Sequence, residues 1–166
     1  MPEEGLGVVV LTNGMRGISN HITDYIMDLY IGEGETDYSG NAVKNVSYGM
    51  YDRIDALKAK RVMGTKASLP QANYAGIFYT PMYGDIYVKN EGGKLRLEFS
   101  HAPLLSATLE HWHYDVFEIK WDVKHAWFNF GTVKFNLDNN LKVLGIDFDV
   151  PNDDIFFEEL KPYKVK

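Results

Sequence analysis

The sequence predicts a mainly β protein, an eight-stranded antiparallel up-and-down barrel preceded by a strand and two helices. Three observations predict it. Of the 166 residues 14% are aromatic, with 11 Tyr, 9 Phe and 3 Trp, and broad rings pack well on pleated faces. From Tyr74 onward apolar and polar residues alternate in short runs separated by turn signals, the pattern of an antiparallel meander. About eight such runs, each with one apolar face, hide that face by closing on themselves, which also removes exposed edges.

The first 70 residues read differently. Residues 5–12, Gly-Leu-Gly-Val-Val-Val-Leu-Thr, form a continuous apolar run of the kind buried on both faces of a sheet, an unusual opening for a chain. Asn13-Gly14 makes a turn, after which Ile18, Ile22, Tyr25, Ile26 and Leu29 mark an amphipathic helix that Gly32 terminates. A polar stretch fills 33–40. Val43, Val46, Met50, Ile54 and Leu57 then line one face of a second helix, with Lys44, Asp52, Lys58 and Lys60 opposite. Residues 64–70 break the pattern. The resulting division is 1–33, strand and helix; 34–70, linker helix; 71–166, barrel.

Strands are expected near 75–80, 84–90, 94–99, 104–113, 115–122, 128–137, 141–149 and 155–161. Their apolar faces read Ile86 and Val88; Leu95, Leu97 and Phe99; Leu105 and Leu109; Phe117, Ile119 and Trp121; Val133, Phe135 and Leu137; Leu144, Ile146 and Phe148. Turn chemistry supports the spacing, since Glu91-Gly-Gly-Lys94 can take positive φ and Asp138-Asn-Asn140 suits a tight hairpin. A lipocalin-like barrel follows, with a two-sheet sandwich as the alternative.

Composition excludes several classes of function. A formal charge of −6 lacks the basic face that phosphate neutralisation needs, so nucleic acid is not an expected partner. The short basic tail, Lys161, Lys164 and Lys166, does not overturn that balance. With no Cys, thiol catalysis, disulfides and Cys-ligated zinc are out. No apolar run approaches the roughly 20 residues that span a bilayer, and Met-Pro-Glu-Glu is the opposite of a signal peptide, so neither a membrane span nor an address is expected.

The strongest local candidate for a site is His111-x-His113. Alternation along a strand puts both imidazoles on one face, and the phase of Leu105 and Leu109 turns that face inward. Such a pair could ligate zinc if His101, Asp115 or His125 converged on it, but histidine among aromatics is more often a hydrogen-bonded structural residue. No metal and no cofactor is therefore expected. The pair can also line the polar end of a small-ligand cavity. The candidate barrel-interior site, for ligand or structure, comprises His111, Trp112, His113, Tyr114, Tyr83 and Trp121. Tyr83, Trp112, Tyr114 and Trp127 could form an aromatic platform, although rings at strand spacing more often pair across strands. Asp147-x-Asp149 with Asp153 and Asp154 imitates a calcium loop, but Pro151 stands fifth and no Gly stands sixth, leaving a solvated strand end.

Three segments carry a family resemblance: Tyr74-Ala-Gly76, Tyr83-Gly-Asp85 and, most distinctively, Leu109-Glu-His-Trp-His-Tyr-Asp-Val-Phe117. The barrel region resembles the C-terminal domain of unknown function often appended to serine β-lactamase-like hydrolases, the penicillin-binding-protein-related peptidases and esterases. Residues 2–13 with the helix up to Gly32 resemble the end of the catalytic domain of those enzymes. That family uses Ser-x-x-Lys, Tyr-x-Asn and Lys-Thr-Gly or His-x-Gly. None of these motifs, nor a Gly-x-Ser-x-Gly elbow, occurs here. The resemblance thus implies a non-catalytic accessory barrel with an upstream serine hydrolase as partner, residues 1–33 being the tail of a truncated catalytic domain. It implies a periplasmic or cell-surface home and self-association through residues 1–31, whose apolar stripe would seek cover. A free-standing lipocalin-like binder of a small ligand is the alternative.

Overall fold

The computed structural model describes residues 1–13, 17–32, 36–44, 49–125 and 128–166. They divide into two compact units, 1–48 and 49–166.

In the first unit, helix α1 (Ile18–Ile31) ends where Gly32 adopts φ 78° and returns its amide to the Asp28 carbonyl at 2.8 Å. A helix stop at this position needs the left-handed region, which glycine enters without steric cost. Helix α2 (Tyr38–Lys44) opens with the Asp37 carboxylate accepting from the Gly40 amide at 2.8 Å, and the Tyr38 hydroxyl donates to Asp28 of α1. The expected N-terminal strand is not formed: residues 5–13 join no sheet, and Val9 and Leu11 are 84% and 90% exposed. The cause is the want of a partner, because an isolated strand leaves its N–H and C=O groups unpaired and no other described segment of this unit is a strand. None of the described residues up to Val43 is buried. Of the Asn13-Gly14 turn, Gly14 lies outside the described residues.

Where a second helix is expected along Val43 to Leu57, the described residues are those of α2 and of α3 (Gly49–Ala59), the latter in the second unit. Residues 45–48, and with them Val46, lie outside the described residues. The compact unit thus starts some twenty residues before the barrel boundary expected at 71. Met50, Ile54 and Leu57 of α3 pack with Trp112, Phe130 and Val116 in a small apolar cluster of their own. The Lys58 ammonium sits 5.0 Å from the centre of the Phe130 ring.

The barrel runs β1 (Gly76–Thr80), β2 (Gly84–Glu91), β3 (Lys94–Phe99), β4 (Ala102–His113), β5 (Val116–Trp121), β6 (Thr132–Leu137), β7 (Val143–Asp149) and β8 (Tyr163–Lys164). Each strand pairs antiparallel with its sequence neighbour, and β8 pairs with β1 through Phe78↔Lys164 and Tyr79↔Tyr163 to close the sheet. The predicted fold class holds. The alternation of apolar residues is what builds the interior: Ile86, Val88, Leu95, Leu97, Leu109, Phe117, Ile119, Val133, Phe135 and Ile146 are all buried in one cluster. The β2–β3 turn uses Gly92 and Gly93 at φ 59° and 81°, as a two-residue hairpin demands.

Four strand expectations need correction. Residues 155–161 are not the eighth strand. The buried Asn152 side chain donates to the Val150 and Ile155 carbonyls and accepts from the Asp154 and Ile155 amides, winding this stretch into a turn that sends Phe157 into the core. The closing strand is the shorter β8, seated beside Gly145, where a Cβ would stand 2.6 Å from the Pro162 carbonyl oxygen. Residues 128–131 precede β6 and are not strand, because Phe128 and Phe130 serve two different clusters. Leu144 is 49% exposed: the register shifts between Asn136 and Leu137, so Val143 and Ile146 point inward in its place. Finally, Leu105 is only partly buried, packed against the cluster to which its strand contributes the buried Ala107 and Leu109.

Candidate functional site

The Tyr114-Asp115 turn that joins β4 to β5 is held in an unusual geometry. Tyr114 takes φ 44°, a conformation that costs a non-glycine residue roughly 1–2 kcal/mol. The register shifts between His111 and His113, bending the end of β4. Both features aim four consecutive residues, Trp112 to Asp115, at the segment that follows α3.

That segment, residues 61–69, lies along the turn as a strap, bonded in ascending order. The Arg61 Nε–H donates to the Trp112 carbonyl at 3.1 Å while its guanidinium stacks 4.1 Å from the indole. The Val62 amide donates to His113 Nδ1 at 3.0 Å. The Tyr114 amide donates to Thr65 Oγ1 at 3.0 Å. The Ser68 amide and hydroxyl donate to the two Asp115 oxygens at 2.9 and 2.8 Å. Tyr74, whose side chain is fully buried, completes the set: its hydroxyl donates to Asp115 and accepts from the Leu69 amide at 3.1 Å. His111 braces the turn from within, donating from Nε2 to the Tyr114 carbonyl at 2.9 Å, with its ring edge-on to Phe117 at 5.7 Å.

The electrostatics follow from these contacts. Burial pushes Asp115 upward, but the hydrogen bonds from Tyr74 and Ser68, with His111 nearby, outweigh it and hold the carboxyl below the usual range. Tyr74 is pushed up to about 12, first by burial and then by donating to that carboxylate. His113 is lowered by burial, then by the charges of Arg61 and His111. A hydroxyl donating to so weak a base, beside a tyrosine so reluctant to ionise, makes neither a nucleophile nor an acid near pH 7. The arrangement is built to hold a segment of backbone.

The candidate residues named from sequence fall at two ends of the barrel. His111, His113 and Tyr114 stand at the strap. Trp112 points to the outside, against α3, because alternation places it opposite its neighbours. Tyr83 is exposed in the β1–β2 turn at the far end, and Trp121 packs there against Phe128 and Phe157 at 5.1 and 6.1 Å. Trp127 lies outside the described residues. Of the residues considered as a third ligand, Asp115 is engaged by the strap, His125 stacks on Phe128 at 4.5 Å, and His101 lies against Gly84. Asp147 accepts from Asn136 and Lys161 at 2.9 and 3.2 Å. The interior itself is filled by rings, Tyr74 lying 5.2 and 4.8 Å from Phe117 and Phe135. Two grooves among the described residues lie outside it: one of about 500 Å³ between α3 and residues 148–152, one of about 360 Å³ beside Arg96 on the outer face of β2–β4. Arg61, Thr65, Ser68 and Tyr74 went unnamed as site residues, although Tyr74 opens one of the three motif segments.

Barrel and strap together define a closed β-barrel domain that grips its own lead-in segment. The chain belongs to the family described as "Domain of unknown function (DUF3471)", whose model matches residues 60–162, and this is a family of C-terminal domains in β-lactamase-related proteins. The matched span opens on the strap. The crystal structure of the C-terminal domain of penicillin-binding protein Rv0907 is similar at a TM-score of 0.48 and 16% identity, over 64% of this chain and 95% of that one. No curated protein matches significantly.

Proposed function

We propose that this chain is the non-catalytic C-terminal portion of a serine β-lactamase-like hydrolase, in which the barrel anchors the chain arriving from the catalytic domain and so shapes substrate access or assembly. The observation that supports it most is the strap. Five hydrogen bonds from residues 61–69 and Tyr74 to residues 112–115, and one returned by Tyr114, fix the point at which the chain enters the barrel. An independent ligand binder has no need to secure its lead-in this way, and the ring-filled interior gives that alternative no support.

In this reading residues 1–33 are the terminal strand and helix of the catalytic domain. Their described apolar residues, unburied here, await the sheet that would cover them or a second copy of the segment. The barrel would then act where such hydrolases act, in the periplasm or at the cell surface. No described helix is long and apolar enough to cross a membrane. The test is covalent labelling: incubated with a reactive β-lactam or a fluorophosphonate, the chain acquires no adduct by intact-mass measurement. A stoichiometric adduct on any serine overturns the proposal.

A further inference from the structure

We infer that His113 makes the strap pH-sensitive: a proton taken up on its Nδ1 releases Val62 from the β4–β5 turn while Asp115 keeps hold of Ser68. This rests on the strap reading above and assigns it a regulation.

The geometry carries the argument. A backbone amide can only donate, so the Val62 N–H at 3.0 Å requires Nδ1 to be an acceptor and the ring to be neutral. Protonation sets an N–H against an N–H. The two contacts of the strap that rest on titratable acceptors are thereby separated in pH. His113 is half-buried, with the Arg61 guanidinium facing it from the strap and His111 from β4, and burial and these two neighbours all oppose a charge on it. The Tyr114 ring lies 5.7 Å away, and the Asp115 carboxylate is committed to Ser68 and Tyr74. The latched ring therefore binds its proton less readily than a free histidine. The latch is complete above about pH 6.5 and weakens as pH falls through the latched value. Asp115, held below its ordinary 3.8, loses its grip only in stronger acid. Between those limits the strap is held at Ser68 and free at Val62.

The experiment is residue-resolved amide exchange on the full chain between pH 7.5 and 5, read as protection relative to intrinsic rates, in the native sequence, His113→Asn and a His111→Asn control. Asn offers a carbonyl oxygen in the Nδ1 position and does not titrate. Val62 protection should fall tenfold for each pH unit by which the latched ring lies under a free histidine, with Ser68 unchanged. In His113→Asn it should stay level, and in His111→Asn the fall should persist. Ring-carbon shifts of His113 in the native chain need no variant and should share their midpoint with the Val62 amide. A level Val62 profile in the native chain, a midpoint that follows His111, or a slope that survives His113→Asn overturns the inference. Val62 unprotected already at pH 7.5 overturns the strap itself.

Discussion

Replacing Tyr74 by Phe removes one oxygen from the centre of the strap and leaves the ring in place. The ring's packing against Phe117 and Phe135 survives, so the loss isolates the hydroxyl. Two bonds go with it. The first, to the Asp115 carboxylate, is charge-assisted and contributes about 1.5–3 kcal/mol. The second leaves the Leu69 amide without its acceptor, a cost at the low end of about 1–3 kcal/mol because Leu69 is only partly buried. The expected loss is therefore about 2–4 kcal/mol in urea unfolding, read as a lower midpoint at unchanged slope. Because Tyr74 titrates at about 12 in the folded chain against 10 unfolded, its contribution is full below pH 10 and disappears between pH 10 and 12. Tyr74→Phe should remove that alkaline component. In a double-mutant cycle with Asp115→Ala the two should couple by at least about 1 kcal/mol. A loss under about 0.5 kcal/mol, or additive effects, would refute the assignment of Tyr74 and Asp115 to one unit.

Three further outcomes are expected. On the outer face, Arg96 and Ser106 bring Asp122 down to about 2, so that pair stabilises above pH 3.8 and is lost as pH falls toward 2; Arg96→Gln should move the acid-unfolding midpoint upward, measured by circular dichroism. Gly145→Ala places a methyl 2.6 Å from the Pro162 oxygen and should cost about 1–3 kcal/mol in thermal melting by prising β7 from β8. Deleting residues 1–48 should leave a folded and more monomeric protein by light scattering, whereas an unfolded product would make the N-terminal unit part of the barrel's core.

The barrel was legible because a sheet closed on one apolar core imposes a period of two on nearly every strand, and that period survives in the order of residues. What broke it was local and not periodic. Leu144 was misplaced by a one-residue shift of register, and residues 155–161 by the side chain of Asn152, which bends a run that alternates as a strand would. The N-terminal run Val8 to Leu11 has strand composition, but composition supplies no partner. The site was legible only in half. His111, Trp112, His113 and Asp115 stand out as a run of unusual chemistry, whereas the residues they hold are 47 to 51 positions away, in a stretch of ordinary loop composition. A pairing between a turn and a remote strap leaves no periodic trace. Alternation predicts only which face the histidines take; that His113 Nδ1 accepts from Val62 and His111 Nε2 donates to the turn is added by the structure.

Whether the strap is held is tested most directly by trypsin, since Lys60, Arg61 and Lys66 place cleavage sites within and beside it. In the native chain at pH 7.5, cutting at Arg61 and Lys66 should be as slow as global unfolding of the barrel. Asp115→Ala should accelerate the cut at Lys66 while the barrel stays folded by circular dichroism. Cleavage at Arg61 or Lys66 in the native chain at the rate of an unstructured peptide, with the barrel intact, would contradict the account.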